Sequence, residues 1–192
     1  MKHILIQIMS ELTVLSAEEI IAIEESFPIK TFPKATNLLR EGQIAKEGYF
    51  VVKGCIRRYE LINGEEKTID FYTENQSAIN FDSLVNKTPS KHYFVCLEET
   101  TVAVADHLKE QALYKKYPRF ETFCRTGMEQ MFANQHQTFS KFITMKPKER
   151  YLNLLKERPY LINRVPQYQL ASYLGIQPET LSRIRKKIIA KS

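Results

Sequence analysis

The residues with the most chemical potential lie together near the C-terminus. In the run Gln167-Tyr168-Gln169-Leu170-Ala171-Ser172-Tyr173-Leu174-Gly175-Ile176-Gln177-Pro178-Glu179-Thr180-Leu181-Ser182-Arg183-Ile184-Arg185-Lys186-Lys187-Ile188, four basic side chains fall inside the five positions from Arg183 to Lys187. A guanidinium can grip guanine O6 and N7 with two parallel hydrogen bonds, and a carboxylate can accept from cytosine N4. Lysine, tyrosine and small hydroxyl groups can hold phosphate oxygens. That chemistry points to duplex DNA. Arg183 is the expected base reader, Glu179 the expected partner of a cytosine, and Thr180, Gln177 and Lys186 are expected at the groove edge. Ser182, Arg185, Lys187 and Tyr168 are expected on phosphates, together with the helix N-terminus near Gln177.

These side chains serve a common surface only if two helices position them. At about 100° per residue, Leu181, Ile184 and Ile188 share one side of a helix while Glu179, Arg183 and Lys186 fall close to the opposite side. Pro178 suits the first helical position, where its missing N–H costs nothing. A preceding helix over Gln167–Leu174 would meet this one at Gly175, whose missing Cβ permits positive φ. Ala171 is small where the helices would cross closely, and Leu170, Leu174, Ile176, Leu181 and Ile184 can form the core between them. The second helix is expected over Pro178–Ala190. An ordinary amphipathic surface helix would also be polar outside, so the charge of the surroundings decides between the two readings.

Charge is unevenly distributed. The 192 residues carry a net charge of +6, but residues 141–192 hold 12 Lys and Arg against three acids, a net of +9. The first 140 residues hold 16 basic and 19 acidic side chains, a net of −3. A mildly acidic body with a basic tail implies that a polyanion is met only by the C-terminal quarter. No apolar run approaches a membrane span, and Ile4–Met9 is too short for a secretory core, so no membrane partner is expected. Three widely spaced cysteines, Cys55, Cys96 and Cys124, fit a reducing cytoplasm rather than a disulfide framework.

Upstream, Ser16 and Glu19 make a capping-box pattern before a short helix over 16–26. From Phe27 onward, short strands alternate with turn signals. Cys55–Ile62 runs into Asn63-Gly64, the dipeptide of type I′ hairpins, with the return strand over Lys67–Tyr72. A further strand pair is expected at Tyr93–Leu97 and Thr101–Ala105. Many short strands of this spacing predict a β-sandwich or barrel. Apolar residues at Phe120, Phe123, Cys124, Met128, Met131, Phe132, Phe139 and Phe142 then recur at helical spacing, so a long helix from Tyr117 to about Phe142 is expected. Phe123, Met128, Met131, Phe132 and Phe139 are the expected seam with a second copy. Lys146-Pro147 reads as a linker before a helix at Lys148–Glu157.

The C-terminal block closely resembles the helix-turn-helix of the Crp–Fnr superfamily of bacterial transcription regulators. There Leu-Ala-x-x-Leu-Gly precedes a recognition helix opening Glu-Thr-x-x-Arg, and Leu170, Ala171, Leu174, Gly175, Glu179, Thr180 and Arg183 stand at those positions. Gly48-Tyr49-Phe50-Val51-Val52-Lys53-Gly54 resembles that family's Tyr-x-(Val/Ile)-x-x-Gly strand-turn. The resemblance implies an α+β chain. Residues 1–116 would form an N-terminal β jelly-roll sensor of cyclic-nucleotide-binding type, 117–145 a long dimerisation helix and linker, and 146–192 a helix-turn-helix domain. It further implies a homodimer on double-stranded DNA, with RNA polymerase as another partner.

Two departures shape the expectation. The family's phosphate cassette has Gly-Glu, then Arg-Ser about ten residues on, and by order those slots fall at Asn80-Phe81 and Lys91-His92. Phe81 cannot accept from a ribose hydroxyl and Lys91 lacks the arginine fork, so cyclic AMP is not expected; Phe81, Lys91 and His92 would line a pocket for some other, unidentified effector. The family's β-hairpin wing is expected to be absent or vestigial. The single pair His92 and Cys96 is thin support for haem. The four histidines are isolated, and no GxGxxG, P-loop or GxSxG occurs, so no metal site, cofactor or enzyme is expected. Arg57-Arg58 alternates on a strand, which leaves one inward and one on the surface. The rival reading is an effector-binding or protein-interaction module whose basic helical tail docks something other than DNA.

Overall fold

The computed structural model describes residues 3–189. Two helices open the chain, α1 (Ile4–Leu12) and α2 (Ala17–Ser26), followed by β1 (Ile29–Phe32), β2 (Asn37–Leu39), β3 (Glu47–Lys53), β4 (Ile56–Ile62) and β5 (Glu65–Tyr72). Then come β6 (Ser77–Ala78), the short α3 (Phe81–Asn86), β7 (His92–Cys96), β8 (Thr100–Asp106) and α4 (His107–Lys116). A helix of 27 residues, α5 (Pro118–Thr144), precedes α6 (Pro147–Glu157), α7 (Leu161–Arg164), α8 (Gln167–Tyr173) and α9 (Pro178–Ile189). Ala190, the expected last residue of α9, and any wing after it lie outside the described residues. None of the helices among those residues is long and apolar enough to cross a membrane.

The chain forms two compact units: Met1–Arg58 with Phe71–Glu129, and Tyr59–Asp70 with Gln130–Ser192. Among the described residues, eight strands make two four-stranded sheets, in the orders β1-β8-β3-β6 and β2-β7-β4-β5, with Tyr59–Asp70 of the β4–β5 hairpin counted in the second unit. Leu39, Val51, Ile56, Phe94, Val102 and Val104 from both sheets fill one core. Burying a side chain of this kind contributes about 1.5–3 kcal/mol. The expected pairing of Tyr93–Leu97 with Thr101–Ala105 is corrected: both strands form, but β7 pairs with β2 and β8 with β1 and β3. The short connection between them therefore switches sheets, a non-local outcome that a turn signal cannot reveal.

Local rules explain the remaining joints. Ser16 Oγ accepts from the Glu19 amide at 3.2 Å and Glu19 Oε2 accepts from the Ser16 amide at 2.8 Å, the reciprocal capping box that starts α2. Asn63 and Gly64 both have positive φ, +51° and +81°, as a type I′ turn requires. Gly54, with φ +113°, lets β3 turn into β4, since a Cβ there would sit 2.6 Å from Thr100 Cα. A second core joins Met9 of α1, Ile23 of α2, Leu113 of α4 and Phe120 of α5 with Ala103 of β8. Phe123 packs on this core, half-buried inside its own chain.

Candidate nucleic-acid interface

The helices of the second unit enclose a small core in which Tyr151, Leu154, Leu161, Val165, Leu170, Ala171, Leu174 and Leu181 are all buried. Helix α8 ends in a Schellman motif: the Ile176 amide donates to the Ala171 carbonyl and the Gly175 amide to the Ser172 carbonyl, each at 3.0 Å. Gly175 takes φ +67°, the left-handed conformation that ends the helix without a Cβ penalty. The chain restarts within three residues, and Gln177 gives its carbonyl to the amides of Thr180 and Leu181 at 3.0 and 3.1 Å. The turn is as tight as the sequence requires.

Helix α9 is divided as its spacing predicts. Leu181 is fully buried and Ile184 and Ile188 are half-buried, while Glu179, Arg183, Lys186 and Lys187 are exposed, as is Gln177 before the helix. Thr180 and Ser182 are half-buried. The Arg183 guanidinium donates to Thr180 Oγ1 at 3.3 Å, so it lies along the helix toward its N-terminus. Arg185 is half-buried and donates to Gln167 Oε1 at 3.2 Å, which ties α9 to the first turn of α8. Tyr168 is exposed, and its hydroxyl accepts from Gln169 Nε2 at 3.1 Å. The structure thus gathers these expected DNA-facing residues on α8, α9 and the turn between them.

Sequence spacing gave no sign of one contribution to this unit. The hairpin tip Tyr59–Asp70 belongs to it. The Thr68 amide donates to Ser172 Oγ of α8 at 2.9 Å, and Arg158 donates to Asp70 Oδ1 at 3.3 Å. Burial, reinforced by the Asp70 carboxylate, pushes the Tyr173 phenol up. These partners are 88 and 104 residues apart, beyond any local pattern.

Exposed apolar residues of α5, Met128, Phe132, Phe139 and Ile143, recur at helical spacing along one side. Phe132 is 70% exposed, Phe139 64% and Ile143 62%; Met128 is also exposed and Met131 is half-buried.

The expected effector residues sit at two ends of the α3 segment. Phe81 opens α3 with its ring partly exposed, Lys91 is exposed, and His92 is half-buried on β7. Both His92 ring nitrogens lie 3.2–3.3 Å from an Arg58 nitrogen. Burial, with the Arg58 charge beside it, pulls the imidazole down to about 4. Arg58 therefore reaches His92 rather than serving only as a surface charge, while Arg57 is the buried member of the pair. Between these residues, Asn80 donates to Ser90 Oγ at 2.7 Å and accepts from the Ser83 amide at 3.3 Å. Ser83 Oγ in turn accepts from the Ala45 amide at 2.9 Å and donates to the Thr88 carbonyl at 2.6 Å. All three network side chains are buried. Phe81 offers no acceptor for a ribose hydroxyl, and the side chains of Asn80, Ser83 and Ser90 bond to their own chain. A separate cleft of about 580 Å³ opens between Leu38, Leu39, Ala45, Lys46, Glu47 and Tyr49, and none of Phe81, Lys91 or His92 lines it.

Comparison with known proteins agrees with this architecture. Residues 29–117 match the family described as the cyclic nucleotide-binding domain. No curated relative matches the sequence. The c-di-GMP responsive global regulator CLP of Xanthomonas campestris is similar in fold, with a TM-score of 0.69 at 16% identity over 92% of this chain and 93% of that one. FixK2 of Bradyrhizobium japonicum gives 0.70 at 15% identity over 86% and 85%. A CooA mutant of Carboxydothermus hydrogenoformans gives 0.66 at 13% over 88% and 79%. The match takes in strands β1 to β8, so the sheet-forming part is similar to that family. Over most of its length the chain shares the fold of CLP and FixK2.

Proposed function

We propose that the protein is a cytoplasmic, homodimeric, sequence-specific DNA-binding transcription regulator that reads a palindromic site. The observation that carries this reading is α9: it is anchored by a fully buried Leu181 and offers Glu179, Arg183, Lys186 and Lys187 to solvent. Arg183 reads guanine, Glu179 accepts from cytosine N4, and Thr180, Gln177 and Lys186 lie at the groove edge. Ser182, Lys187 and Tyr168 hold phosphates; Arg185 joins them while keeping α9 on α8 through Gln167.

The exposed stripe of Met128, Phe132 and Phe139 is covered by the same stripe of a second copy, with Met131 beside it. Phe123 contributes at its edge. Pairing sets the two recognition helices about 34 Å apart, one turn of DNA. In this scheme residues 1–116 are the sensor, 117–145 the dimerisation helix and 146–192 the DNA-binding domain. Its effector, if it takes one, is a small molecule other than cyclic AMP, and RNA polymerase is a further partner.

Titration of duplex binding against salt tests the reading. Log K should fall linearly with log salt, with a slope of about −0.9 for each phosphate contacted. A flat line would exclude a phosphate-contacting regulator and favour a protein partner for the basic tail.

A further inference from the structure

Arg150 occupies a position where its charge is unwelcome on its own helix. It lies in the first turn of α6, after Pro147 and Glu149, where the helix dipole disfavours a cation. Its side chain leaves that helix and engages three groups at the ends of two others. Nε donates to the Met145 carbonyl at 3.1 Å, one residue past the end of α5. Nη1 donates to the Leu174 carbonyl at 2.9 Å, at the C-terminal end of α8. The guanidinium carbon stands 4.0 Å from the centroid of the Phe142 ring of α5.

Both accepting carbonyls lie where helices end, among groups left without intrahelical partners and at the negative pole of each dipole. One planar cation therefore meets two helix C-termini with its edge and an aromatic ring with its face. A lysine has neither the fork nor the face to satisfy all three. Gly175 belongs to the same cluster: a Cβ there would come within 3.2 Å of Arg150 Nη1 and 3.3 Å of Phe142 Cζ. The turn that orients α9 is packed directly onto the clamp.

We propose that Arg150 is a positioning residue that locks the turn between α8 and α9 to the C-terminal end of α5. It contacts no base itself. Its consequence for DNA rests on the function proposed above: with α5 as the dimer seam, the clamp fixes the distance and angle at which the two α9 helices meet their half-sites. Rigid presentation of this kind discriminates between half-site spacings rather than between bases.

Two measurements on the full chain test this, with Arg150→Ala, the conservative Arg150→Lys and the milder Phe142→Leu. The first is hydrogen exchange read by mass spectrometry, which needs no DNA. In Arg150→Ala the Gly175 and Ile176 amides, held by the Schellman motif, should exchange about tenfold faster while core strands of the barrel keep parental rates. Arg150→Lys and Phe142→Leu should fall between. The second is competition between palindromes of parental spacing and palindromes one base pair longer or shorter. Arg150→Ala should lose about tenfold of its spacing preference and bind non-specific duplex as the parent does.

Parental exchange at Gly175 and Ile176 would overturn the clamp. Faster exchange with undiminished spacing preference would overturn the positioning role and leave Arg150 a stability residue. If the parent itself binds duplex without salt dependence, the DNA reading fails and the exchange result alone decides whether the clamp exists. Should Arg150→Ala not fold, Phe142→Leu carries both measurements, with parental values in both counting against the proposal.

Discussion

The α3 segment and helix α9 handle polar side chains in opposite ways. Around α3, Asn80, Ser83 and Ser90 are each buried and bond to neighbours in the same chain. On α9, Glu179, Lys186 and Lys187 are exposed, and Arg183 donates to Thr180 Oγ1, one helical turn away, at 3.3 Å. A buried polar group without partners costs about 1–3 kcal/mol, so the α3 network must close on itself. Exposed groups carry no such demand and remain available to a partner. Polarity that builds structure and polarity that recognises are thus separated along one chain.

That contrast can be broken most forcefully in the core under α9. Leu181→Ala should cost about 2–5 kcal/mol and melt the helical unit ahead of the barrel. Two resolved calorimetric transitions would sharpen the comparison, and a single shared transition would erase it. Arg183→Ala should leave the melting temperature within about 2 °C of the parent while costing about 1–3 kcal/mol in binding and relaxing one base position. Parental binding to every sequence would remove Arg183 from base reading.

The reciprocal experiment is Asn80→Ala, which should destabilise the barrel by about 1–3 kcal/mol and leave DNA affinity unchanged. A change in affinity of tenfold or more would show that the α3 network takes part in recognition. Gly175→Ala, forcing a Cβ onto φ +67° beside Arg150, should cost about 1–2 kcal/mol of helical-unit stability, read as an earlier transition.

His92 gives the smallest effect. Its folded-state pKa of about 4 lies below the ordinary 6.5, so between those values the unfolded chain binds more protons. Stability should then be complete above pH 6.5 and decline as pH falls toward 4. His92→Gln should flatten that interval; an unchanged slope would place the titration elsewhere.

Legibility followed the range of the interactions. The capping box at Ser16 and Glu19, the Asn63-Gly64 turn and the Gly175 stop are local, and each could be read from three or four adjacent residues. The outward stripe of α9 followed from helical period alone. Helix α1 escaped notice because Ile4–Leu12 begins with no side-chain cap and no acidic first turn. Strands β7 and β8 were legible as strands but not as members of different sheets, because pairing is settled by the rest of the barrel. The bonds from Thr68 to Ser172 and from Asp70 to Arg158 join segments that no periodicity links. At Phe81 and Lys91, where effector contacts were expected, the sequence could be read only residue by residue, whereas the bonds among Asn80, Ser83 and Ser90 needed the folded chain.

The placement of the hairpin tip bears on how this molecule can be taken apart. Because Tyr59–Asp70 folds with residues from Gln130 onward, the helical unit is discontinuous, and no single cut releases it whole. A fragment beginning near residue 130 would leave the Asp70 carboxylate behind and keep Arg158, whose side chain is 16% exposed. Losing the Asp70 partner of this half-buried ion pair should lower the stability of the helical unit. Binding measured on such a fragment would describe a damaged domain, whereas the intact chain, or a fragment joined to its missing hairpin, would report the native one.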